Sequence, residues 1–259
     1  MSMDKFDVVI PAGGLIDGEF AAAAGTTIRA LAPAGAGRRP VLQVVVAALR
    51  ESNKVGKIVV VGPEELRSRV EGVDQWLGEP VQEAGQITGG PANILAGLKE
   101  LDSARTALVC TSDLPFLTAD AVAGFVDRID RAVDIGAGVV SADAYNGRFP
   151  DAPPSEYVRL ADVGPSTIAC IFAVRPGAIL GKMELVSSAF EARKSQWGLV
   201  RLLGPRLLWE FATKRMSARS ICNRLERLLD CRIGLVENAA PETAFDIDTI
   251  EDYRYSCKP

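Results

Sequence analysis

The apolar run Phe6-Asp7-Val8-Val9-Ile10-Pro11 has the length of a strand, and it ends in Ala12-Gly13-Gly14, a turn almost without side chains. Such a run suits a strand covered on both faces, as in a parallel sheet. Bare glycine backbone at its end can approach a phosphate closely. The pattern then repeats. Strand-like segments at about 6–11, 57–62, 106–111, 135–141, 168–174 and 232–237 alternate with helical periodicity at about 40–52, 91–101, 118–130, 176–187 and 217–230. This alternation predicts an α/β fold, a mainly parallel sheet flanked by helices. Thr118 is placed to cap one helix, and Pro91 suits the first turn of another.

The 259 residues are expected to form one domain, with 176–230 a mostly helical insertion or subdomain. Its Trp197 and Trp209 are expected in a core. Residues 143–162, with three prolines, read as an irregular excursion bordering a cleft. No signal-peptide pattern or membrane-length apolar run is present, and five cysteines without a CxxC pair suggest reduced, mostly buried thiols of a cytoplasmic protein.

Histidine is absent, which excludes Ser-His-Asp and Cys-His catalysis and His-ligated zinc. The remaining means are carboxylates, Lys and Arg, backbone dipoles and a hard metal. Net charge is −4, yet residues 190–233 hold ten basic residues against four acidic ones. With Arg148 and Arg159, that segment is a candidate for contacts with an anionic acceptor, or simply a solvated basic face.

Asp113 ends the apolar strand Ala107-Leu108-Val109-Cys110 and is followed by Leu114-Pro115, which keeps the chain out of helix. Ligands of open α/β sheets bind at such strand ends. Asp246 and Asp248 supply further carboxylates near the C-terminus, and convergent carboxylates can hold magnesium. The plainer alternatives are a tight strand exit at the glycines and a capping role for Asp113. The glycine spacing fits neither G-x-G-x-x-G nor the P-loop, which disfavours both.

Six segments in order resemble the MobA-like nucleotidyltransferases, of the Rossmann-like GT-A kind. They are Ala12-Gly13-Gly14, Arg29-Ala30-Leu31, Arg39-Pro40-Val41-Leu42, Gly90 to Leu98, Thr111 to Leu117 and Asp246 to Asp252. The resemblance implies magnesium-dependent transfer of an NMP from an NTP to a phosphorylated or polar acceptor, with release of pyrophosphate. It implies nucleotide contacts from Ala12, Gly13, Gly14 and Asn93, and magnesium held by Asp113 with Asp248 or Asp246. Asp252 is expected to cap or anchor the final helix. The loop after the glycines lacks the family's Arg-Met-Gly element and lysine, and Arg29 stands at the lysine's place. Two other readings share the fold: a catalytically silent nucleotide- or partner-binding relative, and a GT-A glycosyltransferase using a nucleotide-sugar. The expected partners are a nucleoside triphosphate and a small anionic or polar acceptor. A nucleic acid is not expected, and oligomerisation is left open.

Overall fold

The computed structural model describes residues 5–35, 37–81, 88–182 and 196–258, with 196–203 described by backbone alone. Its centre is an eight-stranded mixed sheet. The strands are β1 (Phe6–Pro11), β4 (Val55–Val61), β5 (Gln75–Leu77), β6 (Ala107–Cys110), β7 (Ile135–Ser141), β8 (Val158–Leu160), β9 (Gly164–Val174) and β10 (Ile233–Val236). A two-stranded ribbon, β2 (Pro33–Ala34) with β3 (Arg39–Pro40), lies apart. The order in the main sheet is β10-β7-β9-β6-β1-β4-β5, with β8 on β9. β4, β1 and β6 run parallel, as do β4 with β5 and β7 with β10. β9 is antiparallel to both β6 and β7, so it joins two parallel blocks.

Alternation along β1 explains the two cores. Val8 and Ile10 enter the larger one, with Leu42, Val45 and Leu49 of α2 (Val41–Glu51) and Val122 and Phe125 of α4 (Ala119–Asp127). Val9 points to the opposite face and meets Leu98 of α3 (Gly90–Leu98). Successive residues of a strand face opposite sides, so a strand buried on both must be apolar throughout. Gly97 lets α3 lie close to the sheet, because a Cβ there would stand 2.3 Å from Val9 Cγ1. That close seating brings the helix N-terminus to the ends of β1 and β5.

The loop after the glycines, in which no helix was expected, contains a short one, α1 (Gly18–Ala24). Phe20 of α1 packs on Tyr253 of α9 (Ile250–Ser256), ring centroids 5.1 Å apart. The excursion at 143–162 likewise contains α5 (Ala142–Arg148), capped by Ser141. Tyr145 and Phe149 lie four residues apart and are both buried, which gives this stretch an apolar face that its prolines obscured. α6 (Pro176–Leu180) covers the start of the helix expected at 176–187; residues 183–187 lie outside the described residues.

α7 (Gln196–Ala212) is broken at Gly204, whose φ of 76° is left-handed, and Pro205 starts its second half. α8 (Ala218–Leu229) follows. Leu207, Met216 and Ala218 form a small core with Leu160 of the β8–β9 hairpin. The expectation that Trp209 is core fails: it is 58% exposed, with Arg215 5.9 Å from its ring. Two residues span about 200° of helix, so a Trp two places after inward Leu207 faces out. The side chain of Trp197 lies outside the described residues. Of the five cysteines, Cys110 is buried and the other four are half-buried, fewer than composition suggested. Among the described residues no helix is long and apolar enough to cross a membrane.

Candidate active site

β1 and β4 run in register to their carboxyl ends, where Ala12 donates its N–H to Val61 O at 2.7 Å. The glycine turn therefore begins at the sheet edge, with Ala12 fully buried. Gly13 and Gly14 face different neighbours. A Cβ on Gly13 would fall 1.9 Å from Glu79 Oε1 and 2.6 Å from Asn93 Nδ2. Asn93, on the first turn of α3 and 2% exposed, donates Nδ2–H to Glu79 Oε1 at 3.2 Å. One side of the turn thus presents bare backbone, an amide and a carboxylate.

Gly14 lies against Arg29, whose side chain would be 3.7 Å from a Cβ there. The approach is built into the chain: Arg29 N donates to Gly14 O at 2.9 Å, and Ile16 N to Thr27 O at 2.9 Å. α1 is thus an excursion whose two ends are stitched together, and Arg29, on a single 3-10 turn (Arg29–Leu31), returns to the glycines. Arg29 Nη1 then donates to Asp113 Oδ2 at 3.2 Å and, more closely, to Asp248 Oδ1. Glu19, an acid in this excursion, is paired with Arg254.

Asp113 follows β6, and the C-terminal segment crosses it. Ile247, fully buried, donates its N–H to Asp113 O at 3.1 Å. Its neighbours Asp246 and Asp248 flank this anchor, and both turn toward Asp113. Carboxylate oxygens of Asp113, Asp246 and Asp248 lie within 4.8 Å of one another. Aromatic packing fixes the crossing: Phe245 meets Phe116, three residues after Asp113, edge to face at 5.0 Å, and stacks on Tyr255 at 5.5 Å. Thr249 and Asp252 form a capping box that starts α9 directly after Asp248, as expected for Asp252.

Burial first, and then the charges of Asp113 and Asp248, push the Asp246 carboxyl up to about 7. Burial also raises Asp113, with Asp248 adding to the effect and Arg29 opposing it. For Arg29, burial works against the charge, but the two carboxylates outweigh it and hold the guanidinium above its ordinary value. Among the described residues Arg29 Nε is buried without a hydrogen-bond partner, and Asp113 Oδ1 receives none from Arg29, which reaches only Oδ2. Unpaired buried polar atoms are costly, and here an acceptor and a donor occur side by side. The first suits a cation and the second an anion. Three carboxylates are hard oxygen donors of the kind magnesium takes, so the residues fit that ion.

The structure brings together the residues singled out for nucleotide and metal: Ala12, Gly13, Gly14 and Asn93 along the turn, and Arg29, Asp113, Asp246 and Asp248 beside it. The acceptor candidates are less unified. Arg148 pairs with Glu242 at 2.6 Å, Arg159 is exposed, and Arg206 pairs with Glu210 at 3.0 Å. Arg193 and Lys194 lie outside the described residues. Glu79 was missed. It follows β5, a strand of three half-buried residues too short to stand out. The usable signal was Gly78-Glu79-Pro80, an acid held out of helix by proline as Asp113 is.

The family profile of the MobA-like NTP transferase domain matches residues 18–150, which include Arg29, Glu79, Asn93 and Asp113. No curated protein sequence matches the chain. A hypothetical transferase from Thermus thermophilus is similar in structure at TM-score 0.82 and 24% identity, covering 96% of this chain and 100% of that one. The 2-C-methyl-D-erythritol 4-phosphate cytidylyltransferase of Francisella tularensis is similar at TM-score 0.56 and 13% identity, covering 97% and 98%. A CMP:2-keto-3-deoxy-manno-octonic acid synthetase, solved with CTP, is similar at TM-score 0.52 and 15% identity, covering 95% and 94%. At these identities the likeness concerns the fold.

Proposed function

The chain belongs to the MobA-like NTP transferase family, and from that premise we propose that it transfers an NMP from a nucleoside triphosphate to a phosphorylated or polar small acceptor, releasing pyrophosphate. The observation that carries the reading is the adjacency of a glycine turn, a half-buried arginine and three convergent carboxylates at the carboxyl ends of parallel strands. Asp113, with Asp248 or Asp246, would hold magnesium. When bound, magnesium neutralises phosphate charge and eases the departure of pyrophosphate.

The protein's own groups divide the remaining work. Gly13 and Gly14 carry no side chains of their own, so the nucleotide can meet their backbone once Glu79 on one side and Arg29 on the other make room for it. Asn93, oriented by Glu79, offers a polar contact beside Gly13. Arg29 Nε is a donor for an outer phosphate, and its fixed charge stabilises the leaving pyrophosphate. No histidine or covalent intermediate is required, because the acceptor oxygen attacks the α-phosphorus directly and in line.

The test is pyrophosphate release from each of the four common NTPs with magnesium, against a panel of phosphorylated and hydroxylated acceptors. Turnover with at least one pair is expected, lost in a folded Asp113→Asn variant. Nucleotide binding without turnover across the panel would favour the silent-relative reading.

A further inference from the structure

One nitrogen of Arg29 serves two carboxylates. Nη1 donates to both Asp113 and Asp248, two of the three acids whose oxygens converge within 4.8 Å. The guanidinium thus stands where a cation held by those acids would stand. A divalent ion needs their oxygens at about 2.1 Å. A guanidinium on the same oxygens blocks that approach sterically and repels the ion.

The arginine is nevertheless poised to leave. Its backbone is tied to Gly14 O, its side chain lies along Gly14, and its Nε is buried without a partner. A phosphate at the glycine turn would give Nε an acceptor and offer the guanidinium a bidentate alternative to the acids. Arg29 reaches only Oδ2 of Asp113, a residue 9% exposed, so it engages one oxygen of that acid and not the other.

We propose that Arg29 is an internal stand-in cation. It occupies the carboxylate cluster until a triphosphate draws it away, so that metal and nucleotide bind cooperatively and metal alone is held off. The proposal rests on the metal–nucleotide reading above and adds an order of events to it. The coupling is reciprocal: nucleotide tightens metal binding by the factor by which metal tightens nucleotide binding.

The test is binding of Mn²⁺, followed by electron paramagnetic resonance of the free ion, to wild type and Arg29→Gln. Each is measured alone and with a nonhydrolysable NTP analogue. Without nucleotide, Arg29→Gln is expected to bind Mn²⁺ about tenfold or more tightly than wild type, a clear shift on the affinity scale. The analogue is expected to tighten Mn²⁺ binding more in wild type than in the variant. Arg29→Met, which keeps the aliphatic stem, repeats the test if the glutamine variant does not fold. Equal or weaker Mn²⁺ binding by folded variants, with wild type binding Mn²⁺, would overturn the stand-in role and leave the metal reading standing. No Mn²⁺ binding to any of the proteins, with or without the analogue, would overturn the metal reading and this proposal with it.

Discussion

Arg29 stands at a position where the sequence offers no lysine, and its geometry decides which phosphates it can serve. It lies along Gly14 and reaches the acids, and on the proposed reading it would face the outer phosphates of a nucleotide seated on the turn. In EDTA, where no metal competes, Arg29→Ala is expected to weaken NTP binding roughly ten- to hundredfold, the worth of a hydrogen bond to a charged group. NMP binding should change much less, because NMP has no outer phosphates. Titration calorimetry with both ligands separates the two, and equal losses would assign Arg29 to shaping the loop. Gly13 makes a complementary case. A methyl there would collide with the end of the Glu79 side chain, which can swing away, and with Asn93, which is buried. Gly13→Ala is therefore expected to leave the melting temperature within about 2–4 °C of wild type, a shift of about 1 kcal/mol in a chain of this size. Nucleotide affinity should fall at least about tenfold, the equivalent of 1.4 kcal/mol. A large thermal shift with intact binding would mean the glycine serves packing alone.

At the level of elements, the site depends on the C-terminal segment being laid across the loop after β6. Phe245 is 1% exposed and contacts Phe116, Phe149 and Tyr255. Phe245→Ala is expected to cost about 3–5 kcal/mol of stability, the usual range for a buried Phe. It should also loosen Asp246 and Asp248 from Asp113, so urea unfolding and Mn²⁺ affinity should fall together. A destabilised variant with unchanged metal affinity would show that the Ile247–Asp113 backbone bond alone aligns the acids. The elements legible in the sequence were those with a strong period or a continuous apolar run: β1, β4, β6, β7, β9, β10, α2, α3, α4 and α8. Shorter ones were not. β5 has three residues, α1 has seven and is too short to hold without tertiary partners despite its alanines, and α5 is masked by the prolines after it. The glycines and Asp113 could be picked out because ligands of α/β sheets bind at the carboxyl ends of strands, whereas Asn93 and Arg29 were found through the family resemblance. Glu79 escaped because its strand did. The pairing of Arg29 with two acids was beyond sequence, since it depends on the return of a loop whose ends meet through backbone bonds.

For the whole molecule, the parallel pair β7 and β10 is fastened to β9 at one corner of the sheet by Asp134. Its carboxylate accepts from Arg175 Nη1 at 2.7 Å and from Arg232 N at 2.9 Å, which ties the start of β7 to the end of β9 and the start of β10. Burial opposes the charge, but the backbone N–H of Arg232 and the two guanidiniums prevail, so the Asp134 carboxyl sits below its ordinary value. A depressed carboxylate stabilises the fold fully above its unfolded value, about pH 4. That contribution is lost as pH falls through the lower folded value. Asp134→Asn is accordingly expected to reduce stability at neutral pH and to flatten its decline below about pH 4. Urea melts across that range read both effects, and parallel curves for wild type and variant would refute the role. The central claim is that the turn, the arginine and the acids form one metal–triphosphate site. Titration calorimetry of the four NTPs, with magnesium and with EDTA, against wild type and Asp113→Asn tests it most directly. The account predicts that at least one NTP binds wild type more tightly with magnesium than without, and that the folded variant loses this dependence. Absence of NTP binding, or binding indifferent to magnesium and unchanged by Asp113→Asn, would contradict it.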